Sequence, residues 1–125
     1  MYRSRRSILL AGSIVLAGAT QTVAQPVCRP YLSVQEVRLS GVRNLERKWT
    51  AVLDADASRC AATSGRFQIY FVREKENAPE LEFSETFTWQ AGELGTGQIE
   101  ASIGLWIDEA VHDYRVYAAP CACRD

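Results

Sequence analysis

Apolar and polar residues alternate with a period of two over much of this chain, and this pattern constrains its fold more than any other feature. Five apolar series follow it: Trp49–Ala57, Phe67–Phe71, Leu81–Trp89, Ile99–Ile107 and Tyr114–Ala118. Successive side chains of a β-strand point to opposite faces of its sheet, so each series predicts a strand with one face on a core. Apart from a single turn near Asp108, no segment has the spacing of an amphipathic helix.

A sixth, weaker strand is predicted from Tyr31 to Gly41. Leu32 and Val34 are out of phase with Val37 and Leu39, which indicates a β-bulge near Gln35. Six strands separated by turn residues are typical of an antiparallel β-sandwich or barrel. We predict an all-β, antiparallel β-sandwich of about six to seven strands.

The N-terminal residues 1–24 have the features of a signal peptide. Three arginines precede an apolar stretch, Ile8–Ala19, which is too short to span a bilayer comfortably, and small residues follow it. Cleavage after Ala24 is favoured over cleavage after Ala19, and an uncut membrane anchor is the alternative. The paired arginines are also compatible with the twin-arginine route, so the route stays open. The sequence predicts export from a bacterial cytosol, to the periplasm or the medium, of a single domain over residues 25–125 with no remaining membrane span.

Charge narrows the range of partners. Arg3, Arg5 and Arg6 leave with the predicted leader, whereas none of the fifteen acidic residues does, so the mature domain has a net charge of −4. Nucleic acids and anionic membranes are bound through basic patches. We therefore expect neither to be the partner.

The stretch "DEAVHDYRV", residues 108–116, resembles the corner before the sixth strand of immunoglobulin-like and fibronectin type III-like domains. In those families a tyrosine near the start of that strand hydrogen-bonds to backbone a few residues upstream. The resemblance implies that Tyr114 is this structural corner residue, with Ala110 at the small position before it. The chain has Asp108 where leucine is usual, and it lacks the Cys–Trp–Cys arrangement of antibody domains.

Four cysteines, Cys28, Cys60, Cys121 and Cys123, are expected to converge. Consecutive antiparallel strands reverse direction, so the start of the first strand, the end of the second and the end of the sixth lie at one end of the sandwich. An even cysteine count in an exported chain predicts two disulfides. Cys28 and Cys60 should each pair with Cys121 or Cys123, because a bond between residues two apart in a strand is strained. The connectivity stays open, and the alternative is a zinc or copper(I) site made of four thiolates.

No residue pattern in the chain points to catalysis. The sequence contains no GxSxG, HExxH, P-loop or CxxC motif. The single histidine, His112, has no nucleophile beside it and is expected at the end of the sandwich opposite the cysteines. The glutamates around the long polar loop are expected to lie on a solvated hairpin, and attraction of a cation or a basic partner is the alternative. We predict a protein that is not an enzyme and needs no metal or cofactor.

Two features favour binding. Tyr70 and Val72 on the third strand and Tyr117 on the sixth have solvent-facing parity. The third and sixth strands are neighbours in an immunoglobulin-like arrangement. The three residues, with Arg115 at the border, therefore predict an exposed recognition patch for protein or sugar, with ordinary cross-strand packing as the alternative.

The second feature is the edge of the sixth strand. The sequence offers no seventh strand after Cys123, so this edge is predicted to accept a strand from another protein or from a second copy. Disulfides near the strand end, or a first strand that switches sheets, would instead protect it. The prediction is an exported protein-interaction module, with a periplasmic four-cysteine metal-binding protein and a carbohydrate-binding module as alternatives.

Overall fold

The computed structural model describes residues 27–125, and the predicted signal peptide lies outside this part of the chain. Eight strands occur there: β1 Val27–Cys28, β2 Tyr31–Leu39, β3 Glu46–Asp56, β4 Ser64–Lys75, β5 Leu81–Gln90, β6 Thr96–Trp106, β7 Glu109–Ala118 and β8 Cys121–Ala122. Across residues 27–125 no helix is long and apolar enough to cross a membrane.

The strands form two three-stranded antiparallel sheets that pack face to face. One sheet has the order β2-β3-β6 and the other the order β5-β4-β7, while β1 and β8 form a separate two-stranded ladder. The predicted antiparallel β-sandwich is therefore confirmed. The alternation in the sequence does not predict β1 and β8, because two residues are too few to show a period.

The core lies between the two central strands, β3 and β4. Trp49, Ala51 and Leu53 on β3 face Phe67, Ile69 and Phe71 on β4, and all six are almost fully buried. The Trp49 and Phe71 rings meet edge to face with centroids 5.1 Å apart. Burial of each large side chain contributes about 1.5–3 kcal/mol, so the alternating residues supply most of the apolar stabilisation.

Two bulges adjust the strand register. The first lies between Val34 and Glu36, where the sequence indicates it. It places Val34, opposite Leu53, and Val37, opposite Ala51, on the same side of the sheet, although Val37 remains 42% exposed. The second bulge is in β7. Val72 and Arg73, adjacent on β4, lie opposite Asp113 and Val111, which are two positions apart. His112 is the extra residue at this second bulge, which the sequence pattern did not reveal.

The connection from β6 to β7 carries the chain from one sheet to the other, and Glu109 holds it in place. The Glu109 side chain is only 3% exposed. Its Oε1 accepts a hydrogen bond of 2.8 Å from the Trp106 backbone N–H, and its Oε2 lies 3.2 Å from Arg73 Nη1. Arg47 on β3 donates to the Glu109 carbonyl at 3.0 Å. This buried carboxylate therefore joins both sheets at the corner.

Candidate interaction surface

The four cysteines meet at one end of the sandwich and form two disulfides, as predicted. Cys28 is bonded to Cys123 and Cys60 to Cys121, with Cα atoms 5.1 and 5.6 Å apart. In the strand ladders, however, Cys28 lies opposite Cys121, and Cys60 lies opposite Cys123. Each sulfur therefore bonds to the diagonal neighbour, a connectivity that the sequence had left open.

The disulfides argue against the alternative that the four cysteines bind zinc or copper(I). All four sulfurs are engaged in bonds between cysteines, and the ligand of zinc or copper(I) is the thiolate. In this oxidised form the four cysteines therefore offer no thiolate to a metal ion. The two disulfides are compatible with an exported protein, because such bonds persist in oxidising compartments.

Four residues singled out from the sequence lie together on the outer side of the β5-β4-β7 sheet. Tyr70 is directly opposite Arg115, and Val72 precedes the bulge on the same side of β4. Tyr117 is the diagonal neighbour of Tyr70, and the two rings meet edge to face at 89° with centroids 5.2 Å apart. Tyr70 is 44% exposed and Tyr117 is 51% exposed. We call these four residues the tyrosine face.

Shallow depressions flank the tyrosine face on both sides. One, of about 310 Å³, is bordered by Ser84 and Asp113 beside Tyr70. The other, of about 340 Å³, is bordered by Arg66 and Thr86 beside Tyr117. Small hydroxyl side chains on β5 thus leave the tyrosine rings accessible and place hydrogen-bonding groups next to them.

The outer side of the opposite sheet has a different character. Arg38 forms ion pairs with Glu36 at 2.9 Å and with Glu100 at 3.9 Å. The hydrogen bond to Glu36, and then its charge, raise the pKa of the Arg38 guanidinium above its ordinary value. Thr50 and Ser102 share a hydrogen bond of 2.8 Å between their hydroxyls. These polar groups satisfy one another. The opposite sheet also has exposed aromatic residues, Tyr31 and Trp106, so the β5-β4-β7 side is distinguished by the contact between its two exposed tyrosine rings.

Within residues 27–125 no strand pairs with the outer edge of β7, but that edge is partly capped. Asp113 Oδ1 accepts a hydrogen bond of 2.9 Å from the Tyr114 backbone N–H. Arg29 Nη1 donates to the Ala118 carbonyl at 2.8 Å. Side chains therefore occupy two backbone groups that an incoming strand would use.

Tyr114, the predicted corner residue, lies half-buried on the inner side of β7. Its ring packs edge-on against Trp49, with centroids 5.3 Å apart. Within residues 27–125, the hydrogen bond that Tyr114 makes to a side chain is donated by its backbone N–H to Asp113 Oδ1, not by its hydroxyl. Its role as a hydrogen-bonded corner tyrosine stays a prediction.

Sequence reasoning missed two groups of residues. Glu109 lies within the corner stretch, residues 108–116, but the sequence gives no local sign that its carboxylate is buried. His112 lies far from the cysteines, as expected, but its Nδ1 is 2.8 Å from Glu74 Oε2 on the neighbouring strand. That pairing depends on the bulge in β7, for which the sequence offers no signal.

Comparison with known proteins finds no protein-family model that matches this chain and no curated protein that matches its sequence.

Proposed function

We propose that this chain is an exported, non-catalytic interaction module that binds a partner protein through the tyrosine face. The observation that carries the proposal is the pairing of Tyr70 with Tyr117, two half-exposed rings in contact on the outer side of one sheet. Tyrosine and arginine are enriched at the centres of protein interfaces, because they bury much area and keep a hydrogen-bonding tip. Arg115, directly opposite Tyr70, adds the second of these residue types.

The strand order supports an immunoglobulin-like assignment. The six main strands divide into β2-β3-β6 and β5-β4-β7. Immunoglobulin-like domains divide their strands in the same way, with A, B and E in one sheet and C′, C and F in the other. Such sandwiches are widely used for binding, although a fold alone does not assign a ligand. The periplasm or the medium is the proposed location, since both tolerate disulfides.

A carbohydrate is the second candidate ligand. The depressions beside Tyr70 and Tyr117 place Ser84, Thr86 and Asp113 within reach of a ligand that lies against the rings. The rings meet at 89° and so do not form one flat platform, which is why a protein is proposed first.

Photo-crosslinking tests the proposal in the producing bacterium. A photoreactive phenylalanine analogue replaces Tyr70 or Tyr117, and a matched variant carries it at Gln98, which is exposed on the outer side of the opposite sheet. We expect a product of the same discrete mass from positions 70 and 117 and none from position 98. Equal products from all three positions, or none from 70 and 117, would contradict the proposal.

Affinity electrophoresis through polysaccharides separates the second candidate from the first. Retardation that is lost in Tyr70→Ala and Tyr117→Ala, but kept in Gln98→Ala, would establish the carbohydrate. Migration of the unmodified protein unaffected by every polysaccharide tried, together with a defined crosslinked protein, would leave the protein partner.

A further inference from the structure

Three side chains with metal-ligating atoms meet at the end of the sandwich opposite the disulfides. Glu74 is on β4, Glu80 directly precedes β5, and His112 is on β7. One ligand atom from each lies within 4.8 Å of the other two. We call this group the His112 cluster.

The backbone explains why residues so far apart in sequence converge. The bulge in β7 leaves His112 without a register partner, between Asp113 opposite Val72 and Val111 opposite Arg73. Bulges re-aim side chains in this way and are frequent beside functional sites. The loop after β4 then turns back through a hydrogen bond of 3.2 Å from the Ala78 N–H to the Lys75 carbonyl, before the chain reaches Glu80.

The charges of the cluster are not balanced by neighbouring cations. Arg73 and Lys75, the basic residues on either side of Glu74, direct their side chains to the buried carboxylate of Glu109. In the described part of the chain, Glu74 pairs with His112 and no lysine or arginine forms an ion pair with Glu74 or Glu80. Two carboxylates at this separation repel each other, and a cation bound between them would attract both and offset that repulsion.

We propose that Glu74, Glu80 and His112 form a binding site for a divalent first-row transition metal, with zinc as the ion that tests it. Imidazole nitrogen and carboxylate oxygen are both zinc ligands, whereas calcium and magnesium favour sites made of oxygen alone. Zinc holds such ligands at about 2.0–2.2 Å, so the ligand atoms must lie roughly 3.4 Å apart. His112 Nδ1 and Glu74 Oε2, which are 2.8 Å apart, must separate slightly, and wider pairs within the 4.8 Å limit must close. All three residues are exposed, which leaves their side chains free to make that adjustment.

This site is independent of the tyrosine face and of the cysteines. Three protein ligands leave one tetrahedral position of zinc open, to water or to a side chain from another molecule. The site therefore binds an exchangeable ion at the surface and differs from a closed structural zinc centre.

Calorimetric titration of the full chain with zinc chloride tests the proposal. The protein carries no polyhistidine tag and keeps its disulfides oxidised. We expect one zinc ion per chain. His112→Ala, Glu74→Gln and Glu80→Gln should each weaken binding by at least about 10-fold, the smallest effect usual for residues that only support a metal ligand. The matched control is Glu85→Gln, which removes an exposed carboxylate from the middle of β5, outside the cluster.

Unchanged affinity in all three ligand variants, or a loss of equal size in Glu85→Gln, would overturn the proposal. The absence of binding by the unmodified chain would do so as well. Thermal unfolding of each variant without zinc identifies any loss that comes from misfolding.

The single histidine offers a second measurement. Its imidazole proton resonances can be followed by NMR while zinc is added. We expect them to shift or broaden until one equivalent has been added, and to move much less in Glu74→Gln. If the imidazole signals do not change when zinc is added, although calorimetry detects binding, the ion binds elsewhere and this site is refuted.

Discussion

Glu109 and Arg73 form an ion pair of 3.2 Å, in which the Glu109 side chain is 3% exposed and the Arg73 side chain 28% exposed. The pair lies where the chain passes from one sheet to the other, and the same carboxylate accepts a hydrogen bond from the Trp106 backbone N–H. The corner thus depends on a single buried carboxylate that contacts groups from two other strands, β4 and β6.

Glu109→Gln should destabilise the protein. The amide keeps the shape of the side chain but loses the charge that Arg73 and Lys75 approach, and hydrogen bonds to charged groups contribute about 1.5–3 kcal/mol each. We expect a loss of this size in the free energy of unfolding, measured by urea denaturation with intact disulfides. Glu100→Gln removes an exposed partner of Arg38 and should cost less than about 1 kcal/mol. Equal losses for the two variants would contradict the assigned role.

Gly65→Ala should also destabilise the protein, for a steric reason. A Cβ atom at position 65 would lie 2.7 Å from the indole Nε1 of Trp89, which is 1% exposed and cannot move freely. Overpacking of this kind costs about 1–3 kcal/mol. Gly104→Ala is the matched control in another strand, because nothing lies within 4 Å of its Cβ position. The urea midpoint should fall for the first variant and stay level or rise for the second.

The disulfide connectivity predicts which paired substitutions are tolerated. Cys28→Ser with Cys123→Ser removes one complete disulfide and should leave no free thiol on alkylation under denaturing conditions. In the single variant Cys28→Ser, alkylation followed by peptide mapping should find the label on Cys123 and none on Cys121. Each lost disulfide should lower the stability by about 2–5 kcal/mol. A reversed outcome of the alkylation would assign the opposite pairing.

The capped edge of β7 predicts that self-association is suppressed. Arg29→Ala combined with Asp113→Ala frees the Ala118 carbonyl and the Tyr114 N–H, which can then pair with a strand of another molecule. Sedimentation velocity should show a concentration-dependent dimer for this variant and a monomer for Gln98→Ala. If the double variant stays monomeric at all concentrations, these two contacts do not protect the edge.

The sequence predicted those parts of the fold that depend on local periodicity. The alternation from Trp49 to Ala57 and from Phe67 to Phe71 identified the central strands and their buried side chains, and the change of phase after Val34 placed a bulge. The reversal of chain direction at each strand also predicted that the four cysteines lie at one end of the sandwich. The pattern could not distinguish Cys121 from Cys123, because residues two apart in a strand share the same parity.

The features that the sequence did not reveal depend on contacts between distant segments. Glu109 is buried because Arg47, Arg73 and Lys75 reach it from two other strands. His112 meets Glu74 and Glu80 only because a bulge offsets one strand by a residue. The tyrosine face could be anticipated because parity and a resemblance to sandwich domains together placed Tyr70 beside Tyr117.

The disulfide between Cys28 and Cys123, separated by 95 positions in the sequence, closes nearly the whole described domain into a covalent ring. A protease that cuts one exposed loop, such as the polar loop between β4 and β5, would therefore nick the molecule without releasing either piece. At least two cuts within the ring are needed before a fragment can diffuse away. The covalent ring therefore keeps the domain in one piece after any single cleavage between Cys28 and Cys123.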